Sequence, residues 1–230
     1  MKTSERFTHP SRVLMVGVAA LGLTMAVVSP PPAFAGRGSD IVVPKVPDNL
    51  KVEAGNTVYR KGLGIGTQNY ICLACPNALT PADKCPASGF AWAFVGPQAT
   101  LFEVDGDDAQ QIMTHFNSPN PEEAGRERPT WQDSRDSSAV WGNNSLPPAQ
   151  SSTDARFVRD HAIPWLLLPV AGTQVGPGGG DRLTETTFIQ RLDTLGGVAP
   201  DASTCATPED AGHKALRPYS ADYFFYRSAE

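Results

Sequence analysis

The chain has 230 residues, 19 Lys and Arg against 24 Asp and Glu, and a net charge of −5. That acidic balance, with no basic run to reverse it locally, excludes a nucleic-acid partner, because it repels a phosphate backbone. Gly and Pro supply 42 of the 230 residues, above the usual ~12 percent but below the level of disorder, and they punctuate short apolar stretches as turns punctuate strands.

Residues 1–35 read as a secretory signal peptide. Lys2, Arg6 and Arg12 form a basic leader, and an uncharged, mostly apolar run of 16 residues follows from Val13 to Val28. Pro30-Pro31-Pro32 and the small-residue step Ala33-Phe34-Ala35 come next, with cleavage expected after Ala35. The run is shorter than the ~20 residues that span a bilayer. Removing Lys2, Arg6, Arg12 and Glu5 with the leader leaves 195 residues, 36–230, with 16 basic and 23 acidic side chains and a net charge of −7. That length suits one domain with a sizeable core. No later stretch is long enough to cross a membrane. The expected location is secreted, periplasmic or at the cell envelope.

Residues 36–47 are a polar, proline-broken lead-in. From Leu63 to Cys72 the chain alternates, with Leu63, Ile65, Thr67, Asn69 and Ile71 on one face and Gly64, Gly66, Gln68, Tyr70 and Cys72 on the other. A Cys- and Pro-rich loop covers Cys75 to Pro86. Phe90, Trp92 and Phe94 share a strand face, and Gly96-Pro97 is expected to turn the chain back into a strand from Thr100 to Val104. Asp105 to Asp108 is a turn, and Gln111 to Phe116 a strand. Asn117 to Ser138 is polar and aperiodic, a long loop with Trp131 as its one large apolar residue, and Gly142 to Asp154 is a second loop. Long aperiodic loops in a compact domain are where function collects. Ile163 to Val170 is a buried strand, Leu183 to Thr194 alternates again, Thr207 to Ala215 has a helix-start pattern, and Tyr219 to Tyr226 is a closing strand.

The motifs that suggest chemistry weaken on inspection. Gly62-Leu63-Gly64-Ile65-Gly66 lacks the helix that a dinucleotide site opens at its last glycine; glycines inside a strand mark a bulge or close backbone packing. Cys72-Leu73-Ala74-Cys75 has redox spacing, but Pro76 and a turn-rich loop follow it, not a helix. Zinc would want a second CxxC, which is missing. Four cysteines in an exported chain favour two disulfides, paired here as Cys72–Cys205 and Cys75–Cys85 so that cysteines three apart serve different partners. His115, His161 and His213 form no HxH or HxxxH pair, Asp136-Ser137-Ser138 lacks the nucleophile elbow, and Asp105 to Asp108 lacks calcium-loop spacing. No metal and no cofactor is expected.

Several separated segments are carried in order: GLGIGTQNYIC at 62–72, FAWAFVGPQATLF at 90–102, HF at 115–116, IPWLLLPVAG at 163–172, IQRLDTLGGVAP at 189–200 with Cys205, and PYSADYFFY at 218–226. Together they resemble the secreted family grouped as domain of unknown function 3455. The resemblance implies a secreted β domain and supports the Cys72–Cys205 pair. Relatives follow the His-aromatic step with a short Gly-Pro connection, a Trp and Asp-Gly-Ser; this chain lengthens the connection to Asn117–Thr130 and has Asp136-Ser137-Ser138 instead.

The expected fold is mostly β: a single β-sandwich or flattened β-barrel of eight or more mostly antiparallel strands, with Phe90, Trp92, Phe94, Trp165, Leu167 and Phe188 in the core. The expected function is binding of a small polar ligand or sugar, or association with the envelope, without catalysis. The candidate surface comprises His115, Trp131, Asp136, Gln190 and Arg191. Gln68 and Gln190 have a structural alternative, satisfying backbone groups inside the sheet. The competing function is a secreted hydrolase in which His115 is the base and Asp136 orients it.

Overall fold

The computed structural model describes residues 41–145 and 147–229; the basic leader, the apolar run and the expected cleavage point lie outside them. Nine strands follow in chain order: β1 (Asn56–Ala74), β2 (Phe90–Asp105), β3 (Asp108–Asn120), β4 (Arg126–Asp133), β5 (Ala139–Gly142), β6 (Gln150–Ser152), β7 (Trp165–Gln174), β8 (Thr186–Gly196) and β9 (Lys214–Ser228). All pairings are antiparallel, in the order β5-β4-β3-β2-β1-β9-β8-β7, and β5 pairs back onto β7. Eight strands therefore close on themselves, and β6 lies beside the first half of β7. The barrel form of the expectation holds and the two-layer sandwich does not, because closure leaves no lateral edge to cover.

Alternation along the strands builds two cores. Leu101, Ile112, Trp131, Ile189, Tyr223 and Phe225 belong to the cluster that fills the barrel. The opposite face of β7, β8 and β9 presents Trp165, Leu167, Leu192, Phe224 and Tyr226, and the chain from Ile41 to Val52 lies against it with Leu50 fully buried. Trp165, Leu167 and Phe188 thus pack as expected, but outside the barrel. Phe90 and Trp92 are only half-buried and Phe94 is 43% exposed. They miss the core because they sit at the start of β2, near an end of the barrel.

Three local expectations are corrected. Gly96-Pro97 does not turn the chain; β2 runs straight through it and stays paired with β1. Asn69 faces Gly96 while Tyr70 faces Phe94, so Val95 is an inserted residue, a bulge. Asn117 to Ser138 is not a loop but the end of β3, a 3-10 turn at Pro121–Glu123 and strand β4. The strand escaped notice because its buried positions other than Trp131 are polar: Arg128 is 3% exposed and held by Glu123, and Asp133 is 1% exposed and held by Arg60. Thr207 to Ala215 does cap a turn, with Thr207 and Asp210 in a capping box, but only Pro208–Asp210 is helical. Gly212, at φ +88, ends it, and its N–H bonds to the Cys72 carbonyl, drawing the chain into β9. The expected turn at Asp105 to Asp108 is present, with Gly106 at φ +60.

Candidate functional site

The inward positions of β1 begin with Gly62, Gly64 and Gly66 and continue with Gln68 and Tyr70. A Cβ at Gly64 would stand 2.6 Å from the Tyr223 ring, and one at Gly66 would stand 2.1 Å from the Gln98 carbonyl oxygen. The glycine run therefore brings β2 and Tyr223 close to β1, the close packing expected of strand glycines. Beyond it the interior opens into a cavity of about 240 Å³ lined by β1, β2, β3, β4, β7, β8 and β9. Its buried side is Gln68, His115, Trp131, Ile189 and Tyr223, all at most 3% exposed. Phe94 and Asn144 line it from exposed positions.

His115 on β3 and Trp131 on β4 face each other across paired strands and stack, ring centroids 4.1 Å apart and 8° from parallel. Tyr223 meets both edge-on at 5.3 and 5.7 Å. His115 Nδ1 lies 2.8 Å from the Thr130 carbonyl oxygen, which can only accept, so Nδ1 carries the proton. Burial pushes the imidazole down to about 3; the Thr130 bond opposes this and the nearby Arg191 charge adds to it. The ring is therefore neutral near pH 7, and Nε2 is an acceptor. Burial also raises the Tyr223 hydroxyl, which shares a 3.0 Å bond with Tyr219.

Three buried side-chain nitrogens of cavity residues have no partner among the described residues: Gln68 Nε2, Trp131 Nε1 and Arg191 Nε. Arg191 Nη2 donates to the Pro164 carbonyl at 2.9 Å. The arrangement sets unpartnered donors, together with acceptors such as His115 Nε2, within mostly apolar walls. Among the described residues no group of three or more His, Cys, Asp or Glu is placed to hold a metal.

Of the five residues singled out from the sequence, His115, Trp131 and Arg191 come together here. Trp131 does so as a strand residue 1% exposed, not as a loop residue. Gln190 points the other way from Arg191, beneath the Ile41–Val52 segment. Its amide donates to the Leu50 carbonyl at 2.6 Å and its oxygen accepts from Tyr226, which is the structural role weighed for it. Asp136 lies in the β4–β5 turn. Its oxygens accept from the Ser138 N–H and hydroxyl and from the Arg182 N–H, while His115 Nδ1 is committed to Thr130. The structure therefore does not form the His115–Asp136 pair that the hydrolase reading required. Gln68, Tyr70 and Tyr223 were missed as cavity residues, although the alternation of β1 put Gln68 and Tyr70 in phase with its glycines.

A second hollow lies on the outer face of β3, β4 and β5, around Phe116, Gln132 and Trp141. There Trp141 Nε1 donates to Ser118 and Ser118 bonds Thr130, so its buried polar groups are already matched.

Both expected crosslinks are formed, Cys72–Cys205 and Cys75–Cys85, each with Cα atoms 5.6 Å apart. The first ties the end of β1 to the β8–β9 connection.

Fold and site together define a closed, disulfide-linked antiparallel β-barrel with an interior cavity. A family profile described as protein of unknown function (DUF3455) matches residues 53–227, which takes in all of the barrel but Ser228, and the chain belongs to that family. No curated protein and no solved structure matches the chain.

Proposed function

We propose that the protein is an exported binding barrel that takes a small molecule into its interior cavity and performs no chemistry on it. The observation that carries this is the grouping of unpartnered Gln68, Trp131 and Arg191 nitrogens around one partly apolar hollow. Buried donors left without acceptors cost about 1–3 kcal/mol each, and a guest supplying acceptors removes that cost. The volume is below the ~300–1,000 Å³ of drug-sized sites, so the guest is small. Its walls, Ile163, Leu166, Leu168 and Ile189 among them, suit an apolar body better than a sugar. Export rests on the leader of residues 1–35 and agrees with two formed disulfides. No helix of the described residues is long and apolar enough to cross a membrane.

The test is a thermal-shift and tryptophan-fluorescence screen of the protein against small ring compounds and sugars, with a Leu166→Trp variant that fills the hollow. A guest at a hundred times its Kd should stabilise by about 2.7 kcal/mol. It should perturb tryptophan emission in the wild type and do neither in the filled variant. Guests that act equally on both proteins would show binding elsewhere and sink the proposal.

A further inference from the structure

Arg191 separates from the other arginines withdrawn from water by what it lacks. Arg60 is paired with Asp133 and Arg128 with Glu123. Arg191 is in no ion pair among the described residues, and no Asp or Glu lines the cavity. One of its donors takes the Pro164 carbonyl and another, Nε, is buried and unpartnered. Its charge acts on Tyr70, His115 and Tyr223, which surround the same hollow. A guanidinium half removed from water among apolar side chains loses solvation that only an anion restores in full. Gln68 Nε2 and Trp131 Nε1 are further buried donors with no hydrogen-bond partner among the described residues, so three of the cavity's polar residues can donate to acceptor oxygens.

Resting on the binding role given above, we infer that the cavity selects a small monocarboxylate with an apolar body, its carboxylate held by Arg191. One fork of guanidinium donors matches one carboxylate. A phosphate dianion would bring a second charge into a hollow that holds one arginine, so it is disfavoured. The neutral His115 presents an acceptor at Nε2, which keeps the anion at the Arg191 end. The rest of the guest lies against Trp131, Tyr70 and Ile189, in a hollow below drug size.

Benzoate and benzamide have the same shape and differ in charge, so they form the probe pair. Calorimetric titration of the protein with each, up to millimolar concentration, should show benzoate binding about ten-fold or more tighter, the worth of one charge-assisted contact. In Arg191→Gln that preference should vanish, with benzoate losing more affinity than benzamide, and Arg191→Lys should keep part of it. The wild-type comparison and the lysine variant keep the test decisive if the glutamine variant does not fold. Equal affinity for the two probes, or a preference that persists in Arg191→Gln, overturns the carboxylate assignment and leaves the binding cavity standing. Binding of neither probe, and of no other compound in the screen, overturns both.

Discussion

Burial removes the His115 imidazole from water between Trp131 and Tyr223, and the neutral ring is the form that tolerates that place. Its folded value of about 3 lies far below the ~6.5 of an unfolded chain, so the unfolded state binds the proton first as pH falls. The stability tied to the neutral ring is fully present above ~6.5 and is lost on acidification through ~6.5 toward 3. Glu123 and Asp154, held down to about 2 by Arg128 and Arg156, begin to matter only below the ordinary carboxylate range near 4.5. Between about pH 6.5 and 5 the slope should therefore reach roughly 1.4 kcal/mol per pH unit for the wild type and be much smaller in His115→Gln. Urea unfolding at several pH values reads this directly. Parallel curves for the two proteins would mean that the ring is not buried neutral.

β1 is the element on which the barrel turns, because it pairs with β2 on one side and with β9 on the other along most of its length. Its glycines are packing devices. A methyl at residue 66 would meet backbone atoms, the Gln98 oxygen and the Ala99 Cα, which cannot rotate away. Gly66→Ala should destabilise by at least the ~1–3 kcal/mol of an overpacked core, whereas Gly178→Ala, with nothing within 4 Å of its added Cβ, should be close to neutral. A thermal melt of both variants checks it, and an unchanged melting temperature for Gly66→Ala would refute the packing account. β1 and β8 were legible in the sequence because alternation marks a wall with one face inward, and β7 and β9 because a short apolar or aromatic run reads as a buried strand. β4 was not, since charged Arg128 and Asp133 occupy buried positions, satisfied by Glu123 across the preceding turn and by Arg60 on β1, where a strand pattern would show apolar residues. Gly96-Pro97 misled for a related reason, as a bulge and a turn use the same residues and differ only in whether the partner strand continues. At the site, the residues that carry it stand on seven strands far apart in the chain. Composition could nominate His115, Trp131 and Arg191, but only closure could separate them from Gln190 and Asp136.

Across the whole molecule, the Cys72–Cys205 bond spans 133 positions and the Cys75–Cys85 bond only 10. In the chain-entropy account the long loop stabilises by about 5 kcal/mol and the short one by about 3 kcal/mol. Cys72 and Cys205 are also fully buried, so their replacement leaves a hole. Cys72→Ala with Cys205→Ala should lower the melting temperature more than Cys75→Ala with Cys85→Ala. Peptide mapping of the exported protein without reduction should find the same two pairs and Gly36 as the first residue; a different pairing, or a retained leader, would contradict the account of crosslinks and export. The placement of β9 has a further consequence, one of timing. Synthesis delivers β1 early and β9 last, yet the two lie side by side in the finished wall. Until Lys214–Ser228 arrive, β1 and β8 each keep a bare edge, Cys205 has just appeared, and the hollow stands open to water. Pairing of this long reach is slow, on the millisecond-to-second scale of non-local β topologies. No shorter N-terminal fragment holds the closed cavity, which exists only after the last strand has been made.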